Sequence, residues 1–465
     1  MNDIIKLLPS VDALLSRPEI ATLCRTYRRD FVRDACRLAL QAFRRRITGG
    51  ESFDVSDKEE MAQRVSDQLF LNVQQWAAPH LKKVINATGI VLHTGLGRAP
   101  LSKAAQENVN RVLQGYCNLE LDMDTGKRGE RTDHVRDLLR HLTGSEDSLL
   151  VNNNAAAVFL SLNTLAFGQE AIISRGQLIE IGGSFRMPDV MEKSGVIMRE
   201  VGTTNKTKLA DYERAITPNT GAIVVAHTSN YKVVGFTQQV ELQQLCELAH
   251  AHQLPVLHDL GAGVILDLQS MGLPYEPTVQ DSLNAGADVI TFSGDKVLGG
   301  PQAGLIVGRS EWLKKIHKNP LMRAVRCDKM VYAAMEATLR LYFRNDLLKH
   351  HTVMQMLSEA VGSVKQRAQR ILDQLDESVK QAFEITIEPS IGQFGSGALP
   401  LETLSSYALV LMPSNQNAER LMRRLRHGDP PVVGYIQDDR LWLDVRTVRE
   451  NEISDIASVL NQLAP

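Results

Sequence analysis

Three places in the chain carry residue types that could act together. Lys296 lies in TFSGDKVLGGPQAG (291–304), after an apolar run and ahead of a glycine-rich turn. Asp259 closes PVLHD, and Asn152, Asn153 and Asn154 close SLLV just before Ala155 and an alanine-rich stretch. Pyridoxal 5'-phosphate needs an amine for an imine, a carboxylate that keeps its pyridine nitrogen protonated, and amides at a helix N-terminus for its phosphate. Lys296, Asp259 and the Asn153–Asn154–Ala155 junction match those needs in turn. Ser293, three residues before Lys296, can add a hydroxyl to the phosphate.

Taken singly, each feature has a bland explanation. A lysine after a strand is usually solvated, an aspartate there usually caps a helix, and an asparagine run usually makes a turn. It is their order, each after its own apolar run, that points to a pyridoxal-phosphate enzyme of aspartate-aminotransferase-like fold. A nucleotide loop is excluded, because a Walker A motif places its glycines before a Lys–Ser/Thr pair, whereas here they follow Lys296 and Val297 comes next. The AHTSNY segment offers His227 and Asn230 for ring stacking or for the cofactor's phenolic oxygen. An ordinary turn accounts for that segment equally well.

These groups need strands to place them. From about residue 85 to 310, short apolar runs (SLLV, EAIIS, VIMREV, GAIVVAH, PVLHD, DVITFS, GLIVG) alternate with helical stretches such as VELQQLCELAHAH. That alternation predicts an α/β fold with a mainly parallel sheet and ligands at the strands' carboxyl ends. Three regions are expected: a helical N-terminal domain over 1–80, a large α/β domain over 81–330, and a long helix with a smaller α+β unit over 331–465. The last should hold strands in FEITIEP, YALVLM, PPVVGYI and RLWLDVR and a helix in NAERLMRRLR.

A hydrophobic share of 43% and a charged share of 23% in 465 residues describe an ordinary globular chain. Five scattered cysteines, with no CxxC pair, argue for reduced thiols in the cytoplasm and against a zinc or disulfide framework. The first twenty residues are too interrupted by charge and proline for a signal peptide, and no apolar run is long enough to span a bilayer. Net charge is −2, yet residues 1–50 carry ten Lys/Arg against five Asp/Glu. Arg25, Arg29, Arg33 and Arg37 recur every four residues and predict one basic stripe on a helix over 19–47, suited to a phosphate backbone.

INATGIVLHTGLGRA, VNNNAAAV, SRGQLIEIGGSFRMPDVM, EVGTTNKT, HTSNY, FSGDKVLGGPQAG, RAVRCDKM and RLWLDVR together resemble bacterial selenocysteine synthase, the L-seryl-tRNA(Sec) selenium transferase family. The resemblance extends over nearly the whole chain. It implies that Lys296 carries pyridoxal phosphate, that the copies form a ring of dimers, typically a decamer, and that the N-terminal domain binds the elbow of tRNA(Sec). It further implies that Arg98, Arg323 and Arg326 hold selenophosphate, partly across a dimer interface; singly, each would more often form a surface salt bridge. The implied reaction is β-elimination of water from L-seryl-tRNA(Sec) to aminoacrylyl-tRNA, followed by selenium addition. Thr203 and Thr204 match a family block without an assigned role. The nearest competitor keeps the fold and acts as a lyase on a small amino acid or amino sugar. A tRNA-binding regulator without catalysis is disfavoured by Lys296 and Asp259, and a cysteine desulfurase by the placement of Cys327 in a predicted helix.

Overall fold

Runs such as SLLV and VITFS lack polar alternation, the pattern of strands covered on both faces. In the structure, a computed structural model describing residues 2–51, 53–181, 185–228, 230–231, 233–395, 399, 402–412 and 417–463, they are central strands. Contacts divide the chain into two compact units, Met1–Lys83 and Val84–Pro465.

In the first unit, helices Pro18–Thr26, Arg29–Thr48 and Lys58–Ala77 bury Val32, Cys36, Ala39 and Phe43 against Met61, Val65 and Leu69. Asp57 caps the last helix by accepting from the Glu60 amide at 2.9 Å. The single helix predicted over 19–47 is broken. Tyr27 and Arg28 are extended, and Arg28 caps a new helix while its guanidinium pairs with Asp30 at 2.6 Å. Arg25 therefore belongs to one helix and Arg29, Arg33 and Arg37 to the next, so the four do not form one continuous stripe. Arg37 is also paired with Asp34 at 3.0 Å.

The second unit is built on a seven-stranded sheet. Its spatial order is Asp147–Val151, Gly304–Gly308, Val289–Ser293, Val256–Gly261, Thr220–Ala226, Glu170–Ser174, Ile197–Val201. Only Gly304–Gly308 runs antiparallel to its neighbours. Period-two alternation sends Leu150, Ile172 and Ile223 into the core on one face and Leu149, Ile173 and Val224 into the core on the other. Burial of each contributes about 1.5–3 kcal/mol. The six parallel strands end on one edge, which gathers Val151, Ser174, Val201, Ala226, Gly261 and Ser293.

A second sheet of five strands orders Tyr435–Gln437, Arg440–Asp444, Thr403–Leu411, Thr386–Gly395 and Ile90–Leu92. Its last member corrects the expected domain boundary: Ile90–Leu92 pairs with Thr386–Gly395, and Ile85–Asn86 pairs with Val432–Val433, so residues 85–92 join the C-terminal strands. Short apolar segments such as IVL do not reveal which sheet will accept them. Phe383 ends a helix, Glu377–Phe383, instead of opening a strand, and PPVVGYI splits around Gly434, where a Cβ would lie 2.3 Å from the Trp442 carbonyl.

Candidate active site

Strand Val256–Gly261 carries Asp259, which is buried where that strand meets both neighbours. Ala226 and Thr291 stand opposite it. Asp259 Oδ1 accepts from Asn154 Nδ2 at 2.8 Å and from Thr291 Oγ1 at 3.2 Å. Burial pushes the Asp259 carboxyl up, and Asn154, Lys296 and Thr291 pull against it.

Asn154 opens helix Asn154–Ala166, and Asn153 is its cap, accepting from the Ala156 amide at 2.8 Å. The first amides of a helix have no partner within it, so Asn154 and Ala155 present theirs at the end of strand Asp147–Val151. Gly304 lets the antiparallel strand pass here, because a Cβ would lie 2.1 Å from the Asn153 carbonyl. The Asn154 side chain turns inward to Asp259 and does not extend the anion cradle.

Lys296 is only 4% exposed. Its turn is closed by hydrogen bonds from Gly294 N to Ala303 O and from Gly300 N to Gly294 O, both 2.8 Å, and from Gly299 N to Lys296 O at 2.9 Å. Burial lowers the proton affinity of the amine, Asp259 raises it, and Arg98 lowers it again. Ser293 is buried at the preceding strand end.

Arg98 adopts a left-handed conformation at φ 60° that non-glycine residues rarely take. It is held by its amide to the His93 carbonyl at 3.0 Å and by its guanidinium to Asp295 at 2.9 Å. Through Asp295, which directly precedes Lys296 in sequence, Arg98 is tied to the lysine's turn.

His227 follows strand Thr220–Ala226, and its amide donates to the Asp259 carbonyl at 2.9 Å. Burial, and then Lys296, lower the proton affinity of its ring. Asn230 is not gathered with this group. It is exposed and gives its side-chain amide to the Glu180 carbonyl at 2.8 Å.

Arg323 and Arg326 line a separate cleft of about 460 Å³ with Glu120, Arg128, Arg131 and His317. Neither Arg98 nor Lys296 lines that cleft. Helix Met322–Val325 is a single turn and Arg326 is its extended cap, so the two arginines share a cleft without sharing a helical face. Cys327 follows this cap, outside the predicted helix; its buried thiol is pushed up to about 12, which leaves it a poor nucleophile. Thr203 and Thr204 occupy an exposed turn closed by Thr203 Oγ1 on the Lys206 carbonyl at 3.0 Å.

Two residues of the site carry no mark in the sequence. Thr291 is recognisable only once strand register sets it opposite Asp259. Glu276, 5% exposed in the loop GLPYEPT, is recognisable only once that loop brings its carboxyl within 3.8 Å of His227 Nδ1.

Sheet order, the single antiparallel strand, and a buried lysine and aspartate at the carboxyl edge define an aspartate-aminotransferase-like, fold-type I enzyme. D-glucosaminate-6-phosphate ammonia-lyase has the same fold, with a TM-score of 0.57 at 20% identity over 84% of this chain and 98% of that one.

A family model described as L-seryl-tRNA selenium transferase matches residues 84–449, and one described as selenocysteine synthase N terminal matches residues 6–44. The chain belongs to the L-seryl-tRNA(Sec) selenium transferase family. The relative of that name from Carboxydothermus hydrogenoformans is 46% identical over 456 residues, covering 97% of this chain and 96% of its own. The one from Alkaliphilus metalliredigens is 44% identical over 462 residues, covering 99% of each.

Proposed function

We propose that the protein converts L-seryl-tRNA(Sec) to selenocysteinyl-tRNA(Sec) with selenophosphate as donor, using pyridoxal phosphate held at Lys296. Family membership over nearly the full length of both chains carries the substrate, and the buried lysine–aspartate site supports the cofactor. A lyase acting on a small molecule is not favoured, because the selenocysteine synthase N-terminal model also matches.

The residues present fit the cofactor. Lys296 supplies the amine, Asp259 the acid for the pyridine nitrogen, and the Asn154 and Ala155 amides with Ser293 a place for the phosphate. Asn154 Oδ1 is buried without a protein partner, as expected of an atom that faces a bound group. When bound, pyridoxal phosphate supplies an electron sink for the seryl Cα.

Lys296 takes and returns the Cα proton; burial favours the neutral amine this requires. Asp259 would hold the proton on the pyridine nitrogen, and Asn154 and Thr291 favour its charged form, against burial, by donating to it. An ester-linked serine has no free carboxylate, so the arginines are available to another oxyanion. Arg98, Arg323 and Arg326 are assigned to selenophosphate, whose oxygens suit guanidinium forks. Arg98 does not line the cleft of Arg323 and Arg326 within one chain, which suits a site completed by a second copy. Leu113, Tyr116, Leu121 and Met123 are all exposed, apolar side chains available for self-association.

The N-terminal unit is assigned to tRNA on its excess of arginine. A cytoplasmic location is proposed with that partner; among the described residues no helix is long and apolar enough to cross a membrane. The deciding experiment gives purified holoenzyme seryl-tRNA(Sec) and selenophosphate, with free serine as control. Selenocysteinyl-tRNA should form from the esterified serine alone. Conversion of free serine with none of the tRNA-linked serine would overturn the assignment.

A further inference from the structure

Glu276 is a buried carboxyl that the scheme above leaves without a task. Its Oε1 is sealed from solvent and has no hydrogen-bond partner among the described residues, and the same holds for His227 Nδ1. These two orphaned atoms stand 3.8 Å apart. A hydrogen bond needs about 2.7–3.2 Å, so a shift of roughly 1 Å closes one. Glu276 also feels the Lys296 amine, and the Leu399 amide hydrogen-bonds to its carboxyl.

His227 has a second side. With Gln177, Gln239, Tyr275 and His258 it lines an open cleft of about 860 Å³. One imidazole therefore lies between an open cleft and a buried carboxyl that interacts electrostatically with the Lys296 amine.

We propose that Glu276 is a proton donor of this site, recharged from the solvent cleft through His227. The inference rests on the transferase reading above and adds the group that completes its elimination step. In that step Lys296 takes the Cα proton, the Cβ–O bond breaks with its electron pair going to oxygen, and the Glu276 carboxyl protonates that oxygen so that water departs. The carboxylate left behind regains its proton from solvent through the His227 ring. No oxidant, reductant or further reactant is needed.

The electrostatics agree with the geometry. Burial pushes the Glu276 carboxyl up to about 7, against the pull of Lys296. Burial and Lys296 keep His227 neutral, as a relay that both accepts and donates requires. The other charged groups near Lys296, namely Asp259, Asp295 and Arg98, are engaged by the hydrogen bonds already described.

The test is the pH–rate profile of the holoenzyme with seryl-tRNA(Sec) and selenophosphate. Wild-type turnover should fall as pH rises through about 7, where Glu276 loses its proton. Glu276→Gln should turn over at least tenfold more slowly, with that limb absent and cofactor absorbance retained. Glu276→Asp should keep the limb at a reduced rate, and it decides the matter if the glutamine variant does not load cofactor. His227→Gln should slow turnover and leave Glu276 titrating. In the cofactor-free protein, the melting temperature of Glu276→Gln should rise relative to wild type as pH goes from 4 to 8. A glutamine variant within twofold of wild type with the same limb, or an aspartate variant without the limb, overturns the proposal. Lys296→Ala separates the two levels: if it keeps the cofactor absorbance, the transferase site itself is misassigned. If it bleaches while Glu276→Gln behaves as wild type, only the proton donor falls.

Discussion

Asn154 Nδ2 donates to Asp259 Oδ1 at 2.8 Å across 105 residues of chain. This bond joins the N-terminus of one helix to the buried acid on the central strand, and it would fix the spacing of the two proposed grips on the cofactor. Asn154→Ala removes a donor to a buried charge, a loss of about 1.5–3 kcal/mol. We expect pyridoxal phosphate to bind roughly 10- to 100-fold more weakly in this variant, measured by equilibrium titration of the cofactor absorbance. Unchanged affinity would show that the bond serves only the fold.

Lys296→Ala should abolish both the cofactor's covalent absorbance and turnover while the protein stays folded. Removing an amine whose charged form is penalised by burial costs the fold little, so the melting temperature of the cofactor-free variant should match or exceed wild type. Absorbance spectra and a melting curve check both statements.

Arg323→Ala should leave the absorbance intact and raise the concentration of selenophosphate needed for half-maximal rate by about 10- to 100-fold, the scale of one charge-assisted contact. Because Arg98 and Arg323 occupy different places in one chain, mixing Arg98→Ala with Arg323→Ala subunits should recover part of the activity if the site forms between copies. No recovery in verified mixed assemblies would place each arginine's role within its own chain.

Replacing Arg29, Arg33 and Arg37 together by alanine should weaken tRNA binding and flatten its salt dependence, lowering the slope of log affinity against log salt by roughly two to three. Arg37 is shared with Asp34, so it should contribute least of the three. Binding isotherms at several salt concentrations, beside cofactor absorbance as a control, measure the effect.

Glu276 gives a pH dependence of stability with a definite sign. Its folded carboxyl titrates near 7, above its ordinary 4.5. Between those values the unfolded chain has released a proton that the folded chain retains, so wild-type stability falls as pH rises through this window and levels off above about 7. At about 1.4 kcal/mol per pH unit, Glu276→Gln should be more stable than wild type by roughly 3 kcal/mol at pH 8 and equal to it near pH 4. Chemical denaturation of the cofactor-free proteins at both pH values checks this.

Much of the architecture is legible in the residues. The seven short apolar runs are all strands, VIMREV among them despite its Arg199 and Glu200, and each end carries the turn residues that stop it. Lys296, Asp259 and the Asn153–Asn154 junction could be picked out because parallel strands deliver whatever follows them to one edge. The uninterrupted helix over 19–47 was misleading: its apolar periodicity runs past Tyr27 and Arg28, and only the packed unit shows that Arg28 caps a second helix. Asn230 sits in the right segment, yet its amide is taken by the Glu180 carbonyl.

The sequence by itself determined the class of fold and the family, and singled out Lys296 and Asp259 as candidates, because each is written in local pattern or in long matching blocks. Only the tertiary structure decided that residues 85–92 join the C-terminal strands, that Arg98 leans on Asp295 while Arg323 and Arg326 line another cleft, and that Glu276 meets His227. Those relations depend on register and on loops packing across the fold, and neither leaves a periodic trace along the chain. Burial then sets the proton affinities, since desolvation acts on a side chain only after distant segments have closed around it.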